Sequence, residues 1–199
     1  MGRAEETRQS IIEKAAVVFN RNGYQRTSMS MLTEALGLTK GAIYGHFQDK
    51  DALAVEAFRH IWQRRSEAIR AIVVRHERPL DRLRAFAGAF VEFYEETVQD
   101  GGCPVLNTAT DADDAHPRLH REVRRALAEW ERALLAIVEA GKDCGELRRD
   151  ADGKLFASTF IALIEGGLLL AKTVGDRTYL ERAIAGIGMF IEHMRVDDG

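Results

Sequence analysis

Cysteine is scarce in this 199-residue chain. Cys103 and Cys144 stand alone, without metal-ligand spacing, so a reducing cytoplasm is the expected compartment. Proline occurs three times, which leaves long helices unobstructed. Val, Ile and Thr nowhere alternate with polar residues for long, and no strand is predicted. Uninterrupted apolar runs are also missing. The nearest to the ~18 residues of a membrane span is 155–174, but Lys154 borders it and Glu165 and Lys172 interrupt it. No signal peptide precedes the first predicted helix. Catalytic equipment is absent as well: there is no nucleophile–base pairing, metal motif or phosphate-binding glycine loop. Neither an enzyme nor a cofactor is expected. Charge of one sign is lacking too, with a net charge of −3; residues 1–50 hold seven Lys/Arg against five Asp/Glu. Bulk electrostatics therefore announce no nucleic-acid partner. What is present is 46% hydrophobic and 30% charged residues, the composition of a folded, helical protein.

The first helix is predicted from Ile11, Ile12, Ala15, Ala16 and Phe19, an apolar stripe at the helical period that Gly23 ends. Thr27 or Ser28 caps a second helix, with Met29, Leu32, Ala35 and Leu36 facing inward. Gly37 stands where a tight interhelical turn can require positive φ. Thr39 caps a third helix over 40–46, packed through Ala42, Ile43 and Phe47. Asp49 caps a long fourth helix from Lys50. The third helix is too small and polar for a core element, which suits a helix-turn-helix that keeps one face free for DNA. Further helices are expected over 79–98, 104–110, 116–140, 151–174 and 177–194, with breaks at Gly101-Gly102 and at 141–145.

Phe19-Asn20-Arg21-Asn22-Gly23-Tyr24, Thr27-Ser28-Met29, the run from Gly37 to Tyr44, and His46-Phe47 before Lys50-Asp51-Ala52-Leu53 occur in an order and spacing that resembles a TetR-family transcriptional regulator. Gly102-Cys103-Pro104-Val105-Leu106-Asn107 is similar to a glycine-cysteine element of some members. The resemblance implies an all-α fold: an N-terminal three-helix helix-turn-helix domain, 1–53, joined by a long helix to a larger domain, 54–199, that binds an effector and dimerises. It also implies a ligand-responsive regulator, in the form of a repressor released from a palindromic operator. Two departures stand out. Thr33 replaces the alanine common at a close helix crossing, and Gly45 replaces a larger side chain near the recognition-helix end.

The resemblance assigns DNA contacts to Thr27, Thr39, Lys40, Gly41, Ala42, Tyr44, His46 and Lys50. Lys40 can reach a phosphate or a guanine edge, and Ala42 a thymine methyl. Gly41 permits close approach to the groove. Tyr44, His46 and Lys50 suit phosphates. Capping is the alternative for Thr27, Thr39 and His46, and packing for Tyr44. Arg3 and Arg8 could reach DNA or form a solvated arm.

An effector pocket would be apolar with a few polar groups. Phe90, Tyr94, Cys103, Asn107, Trp130 and Glu165 are its candidates, with packing as the alternative for each. Cys103 could also sense oxidants or electrophiles. The dimer surface is expected on the last two helices, through Ile161, Ile164, Leu168, Ile184, Ile187, Phe190 and Ile191. Gly166-Gly167 and Ala185-Gly186 would allow close approach there, and intramolecular burial is the competing reading. Asp111, Asp113, Asp114 and His116 read as a solvated acidic loop rather than a metal site. An architectural DNA-binding protein without effector control remains the rival function.

Overall fold

The computed structural model describes residues 2–112 and 116–196. Among them are ten helices: α1 (Arg3–Asn22), α2 (Met29–Leu36), α3 (Lys40–Tyr44), α4 (Lys50–Val73) and α5 (Pro79–Glu92), then α6 (Tyr94–Gln99), α7 (Pro104–Ala112), α8 (Pro117–Asp143), α9 (Gly153–Val174) and α10 (Thr178–Met194). The fold is all-α, with helix-turn-helix elements at the N-terminus and a larger helical part after them. The chain divides into two compact units, 1–65 with 99–126, and 66–98 with 127–199. The division passes within α4, α6 and α8.

The first unit closes around Ile11, Ile12, Ala15 and Ala16 of α1, Leu32 and Leu36 of α2, Ile43 of α3, Phe47, and Leu53, Ala57 and Ile61 of α4. Burying each large aliphatic group contributes about 1.5–3 kcal/mol. Helix ends follow local chemistry. Ser28 Oγ accepts from Met31 N–H at 3.2 Å, Thr39 Oγ1 from Ala42 N–H at 3.2 Å, and Asp49 Oδ1 from Ala52 N–H at 2.5 Å. Ser28, rather than Thr27, is thus the cap of α2. Gly37 ends α2 at φ 66°, a conformation that would strain a residue bearing Cβ. The Thr33 hydroxyl bonds back to Ser30 O at 2.9 Å.

The Gln99–Gly102 stretch is tied to α1. Asn20 donates through Nδ2 to Asp100 O and Gly102 O, at 2.7 and 3.0 Å. Asn107 Nδ2 donates to Asn20 O, Asn20 Oδ1 and Gly101 O, at 3.0, 3.1 and 3.0 Å. Gly101 lies at φ 104°, and a Cβ there would meet Arg21 Cα at 2.9 Å. The glycine-cysteine element therefore seats a loop against α1.

In the second unit α10 packs on α9 and α5. A Cβ on Gly167 would stand 2.7 Å from Ala183 Cβ and 3.3 Å from Leu180 Cα, so this glycine sets the α9–α10 approach. Phe90 stacks on Trp130 with centroids 5.4 Å apart, and Phe160 meets the edges of Phe86 and Phe156 at 5.4 and 5.9 Å. Glu146 satisfies the start of α5, accepting from Arg78 Nε at 2.6 Å and Leu80 N–H at 3.0 Å. An isolated antiparallel bridge pairs Leu147 with Arg195.

Three expectations change here. Ala35 of α2, expected to face inward, is exposed. The single helix over 79–98 is α5 and α6, broken at Phe93 (φ −93°, ψ 11°). Segment 155–174, expected to fall short of a membrane span, lies in a helix long and apolar enough to cross one. Phe156, Phe160, Ile164, Leu168 and Ala171 of that helix are nevertheless buried in the protein core.

Candidate functional site

The helix-turn-helix presents α3 outward. Ile43 and Phe47 are buried, whereas Thr39, Lys40, Gly41, Ala42, Tyr44 and Gly45 are all exposed. A five-residue helix with one inward side chain has no core function of its own; α2, the Gly37 turn and the Thr39 cap hold it in place. Lys40 Nζ lies 5.7 Å over the Tyr44 ring, so a cation and a phenol occupy one side of the helix. α3 stops at Tyr44, two residues short of the expected end. His46 N–H donates to Ile43 O at 3.0 Å, a tightened last turn, and the residue is half-buried at the exit.

Lys50 opens α4 already engaged. Its ammonium donates to Tyr24 O at 2.9 Å and Thr27 O at 2.8 Å, and sits 4.1 Å over the Tyr24 ring. Desolvation pulls its pKa below the ordinary lysine value, with Asp51 and Asp111 opposing. Thr27 is 0% exposed and donates its hydroxyl to Gly23 O at 2.6 Å. Its side chain therefore has no path to solvent; the residue offers its carbonyl to Lys50 instead.

Around Lys50 runs a cluster that the sequence motifs did not isolate. The Tyr24 hydroxyl donates to Asp51 Oδ1, and His116 Nε2 faces Asp51 Oδ2 at 3.2 Å. His116 Nδ1 accepts from Leu119 N–H at 3.1 Å, and its ring meets Tyr24 edge-on at 4.3 Å. Arg118 Nη1 lies 3.6 Å from Asp49 Oδ1. Burial first, and then Asp51, drives the Tyr24 pKa upward. The Tyr24 hydrogen bond holds Asp51 below the usual carboxylate range, against its own partial burial. Only the pairing of a tyrosine after the first helix with an acid at the start of the fourth could have hinted at this cluster; no local pattern points to His116.

Arg8 is not a free arm. Its guanidinium lies 5.0 Å over Phe47 and 3.5 Å from Glu56 Oε2. Arg3 is exposed.

The effector candidates divide between the units. Phe90 and Trp130 come together in the second, stacked with each other, and Tyr94 and Glu165 are buried and half-buried there. Burial, followed by the charge of Glu95, raises the Tyr94 pKa. Cys103 and Asn107 belong to the first unit. Cys103 is buried, and the Asn107 amide is committed to α1 and the Gly101 carbonyl. Of the dimer candidates, Ile164, Leu168, Ile187 and Ile191 are buried within the protomer, while Ile161, Ile184 and Phe190 are half-buried. Phe190 also meets Phe156 edge-on at 5.5 Å. No group of three or more metal-ligating side chains occurs among the described residues. Asp113 and Asp114 lie outside the described residues.

Residues 11–57 match the family model described as bacterial regulatory proteins, tetR family, and residues 79–187 match the tetracyclin repressor-like C-terminal domain. The chain is similar to the HTH-type transcriptional repressor DhaR of Mycobacterium sp. (strain GP1), with 25% identity over 88% of this chain and 87% of that protein. A crystal structure of a TetR transcriptional regulator from Chloroflexus aurantiacus superposes with a TM-score of 0.94 at 34% identity, covering 99% of this chain and 100% of that one. A TetR-family regulator from Cytophaga hutchinsonii gives 0.90 at 32% identity, covering 100% and 99%.

Proposed function

Because the chain belongs to the TetR family of bacterial transcriptional regulators, we propose that it is a homodimeric repressor, released from a palindromic operator by a small, partly apolar effector. Membership in a family of regulators removes the enzyme reading. In this reading residues 1–53 read DNA, and residues 54–199 receive the effector and dimerise.

The observation that carries the proposal is the outward face of α3, where Thr39, Lys40, Gly41, Ala42 and Tyr44 are exposed above a buried Ile43. Lys40 and Tyr44 contact phosphate or a base edge, Thr39 adds a hydroxyl to its cap, and the small Gly41 and Ala42 let the helix approach the groove floor. His46 and Lys50 flank the helix as backbone contacts. Thr27 contributes by holding Lys50. Few of these groups read bases, so a second half-site from a partner protomer supplies the missing specificity.

Exposed apolar groups on the last two helices support the dimer. Leu155, Ala162 and Leu169 of α9 follow one another at intervals of seven, and Ala185 and Met189 share a face of α10. Met189 is 76% exposed and lies on the side that such an association would cover. Ile161, Ile184 and Phe190 flank this surface, and the buried Ile164, Leu168, Ile187 and Ile191 support it from within. For the effector, the Phe90–Trp130 stack with Tyr94 and Glu165 offers an apolar setting with few polar groups. Binding there shifts the population toward a form that no longer matches the operator. Such a protein acts in the cytoplasm.

The test is operator binding by Tyr44→Phe combined with Lys50→Ala. Affinity falls while the fold persists, and the log–log salt dependence becomes shallower by about 2 per dimer, because each protomer neutralises one phosphate fewer. An unchanged affinity and slope would remove both residues from the DNA-facing surface. A rise in melting temperature with a small-molecule effector separates this reading from an architectural protein.

A further inference from the structure

We propose that His116, just ahead of α8, is a positioning residue for Lys50 and acts on it through Asp51 and Tyr24. The assignment rests on the reading of Lys50 as a phosphate contact.

His116 is 4% exposed, deep enough that its polar atoms need partners. Its Nδ1 accepts from Leu119 N–H, which makes Nδ1 the unprotonated nitrogen and places the ring proton on Nε2. That nitrogen lies 3.2 Å from Asp51 Oδ2, a close electrostatic contact in which the N–H is not aligned for a hydrogen bond. Asp51 uses its other oxygen for the Tyr24 hydroxyl, so one carboxylate stands between the start of α8 and the loop between α1 and α2. The edge-on contact between the His116 and Tyr24 rings fixes the tyrosine from a second direction. Tyr24 then provides both the aromatic face and one of the two carbonyls that hold the Lys50 ammonium.

An ammonium has three donors. Two are taken by Tyr24 O and Thr27 O, which leaves a third whose direction is set by the other two. Lys50 is thereby ordered before DNA arrives, and an ordered group loses less conformational freedom on binding. Histidine suits the task because it accepts from backbone at one nitrogen and sets the other against a carboxylate. A shorter carboxamide keeps the first function and loses the second. The other charged groups nearby, Asp49 and Arg118, pair with each other, and Asp111 Oδ2 accepts from Gln25 N–H.

His116→Asn keeps an acceptor for Leu119 N–H and withdraws the second ring nitrogen from its contact with Asp51, so helix capping and positioning separate. Full-length wild type, His116→Asn, Lys50→Ala and the double variant are titrated with a palindromic duplex that the wild type selects from randomised DNA. Chemical denaturation midpoints are recorded alongside. His116→Asn weakens binding about tenfold in the wild-type background and has no further effect when Lys50 is alanine. A merely structural histidine gives equal losses in both backgrounds, and that result, or no loss at all, overturns the assignment. If His116→Asn does not fold, Asp51→Asn enters the same cycle, because a carboxamide accepts through one oxygen where the carboxylate accepts through two. Its loss must likewise vanish without Lys50. Failure of the wild type to select any duplex overturns the DNA-binding reading and this assignment with it. A selected duplex bound equally by all His116 and Asp51 variants overturns this assignment alone.

Discussion

Asn107 shows how a single side chain can hold two distant stretches of chain together. Its amide serves Asn20 and Gly101, and Asn20 in turn donates to Asp100 O and Gly102 O. Truncation leaves backbone and side-chain acceptors without their donor, at a cost of about 1–3 kcal/mol. Asn107→Ala therefore lowers the denaturation midpoint, and it does so in ligand-free protein without a change in the outward face of α3. A normal midpoint would mean that water replaces the amide. At this scale the sequence was legible wherever partners are close along the chain. Ser28, Thr39 and Gly37 act within three residues or on their own φ. Lys50 was legible as a basic group at a helix start, but its partners Tyr24 and Thr27 lie over twenty residues away. His116 stands farther still, so nothing local linked it to Asp51.

Among elements, neighbouring glycines of α9 have opposite surroundings. A Cβ on Gly167 would collide with Ala183 and crowd the Leu180 backbone, whereas one on Gly166 meets nothing within 4 Å. Gly167→Ala destabilises each protomer by about 1–3 kcal/mol through overpacking, read as a lower denaturation midpoint at any protein concentration. Gly166→Ala raises the helix propensity by about 0.8–1 kcal/mol. Any loss of stability it causes must come from association, and must fade as the protein is diluted. Equal behaviour of the two variants would contradict the α9–α10 geometry. The sequence displayed small residues suited to close packing, but could not say whether the second helix belongs to the same chain. The break at Phe93 was hidden for a related reason. Neither glycine nor proline marks it; the backbone turns so that Tyr94 and Thr97 on its far side are buried.

Across the whole molecule, carboxylates in both units carry depressed pKa values. Tyr24 stabilises ionised Asp51, Arg59 does so for Glu122, and at Glu146 burial is outweighed by the Arg78 and Leu80 hydrogen bonds. A carboxyl group with a folded pKa below its unfolded value stabilises the protein above the unfolded value, and that contribution is lost as pH falls through the folded one. Stability accordingly declines from about pH 4 downward. Replacement of Asp51, Glu122 and Glu146 by their amides flattens that decline in urea titrations across pH; an equally steep decline would place the responsible groups elsewhere. The compact unit holding the DNA-reading helices is assembled from two separated stretches, 1–65 and 99–126. On a ribosome these helices emerge early, yet the chain that supplies Asn107, His116 and Leu119 is still unmade. The core of the reading head draws on residues 11–61 alone, but Asn20 and Asp51 gain their partners Asn107 and His116 only after the second stretch has left the exit tunnel, although domains generally fold from the N-terminus during synthesis. A nascent chain stalled before that point would carry every residue of the recognition helix and still lack the partners that hold its flanks.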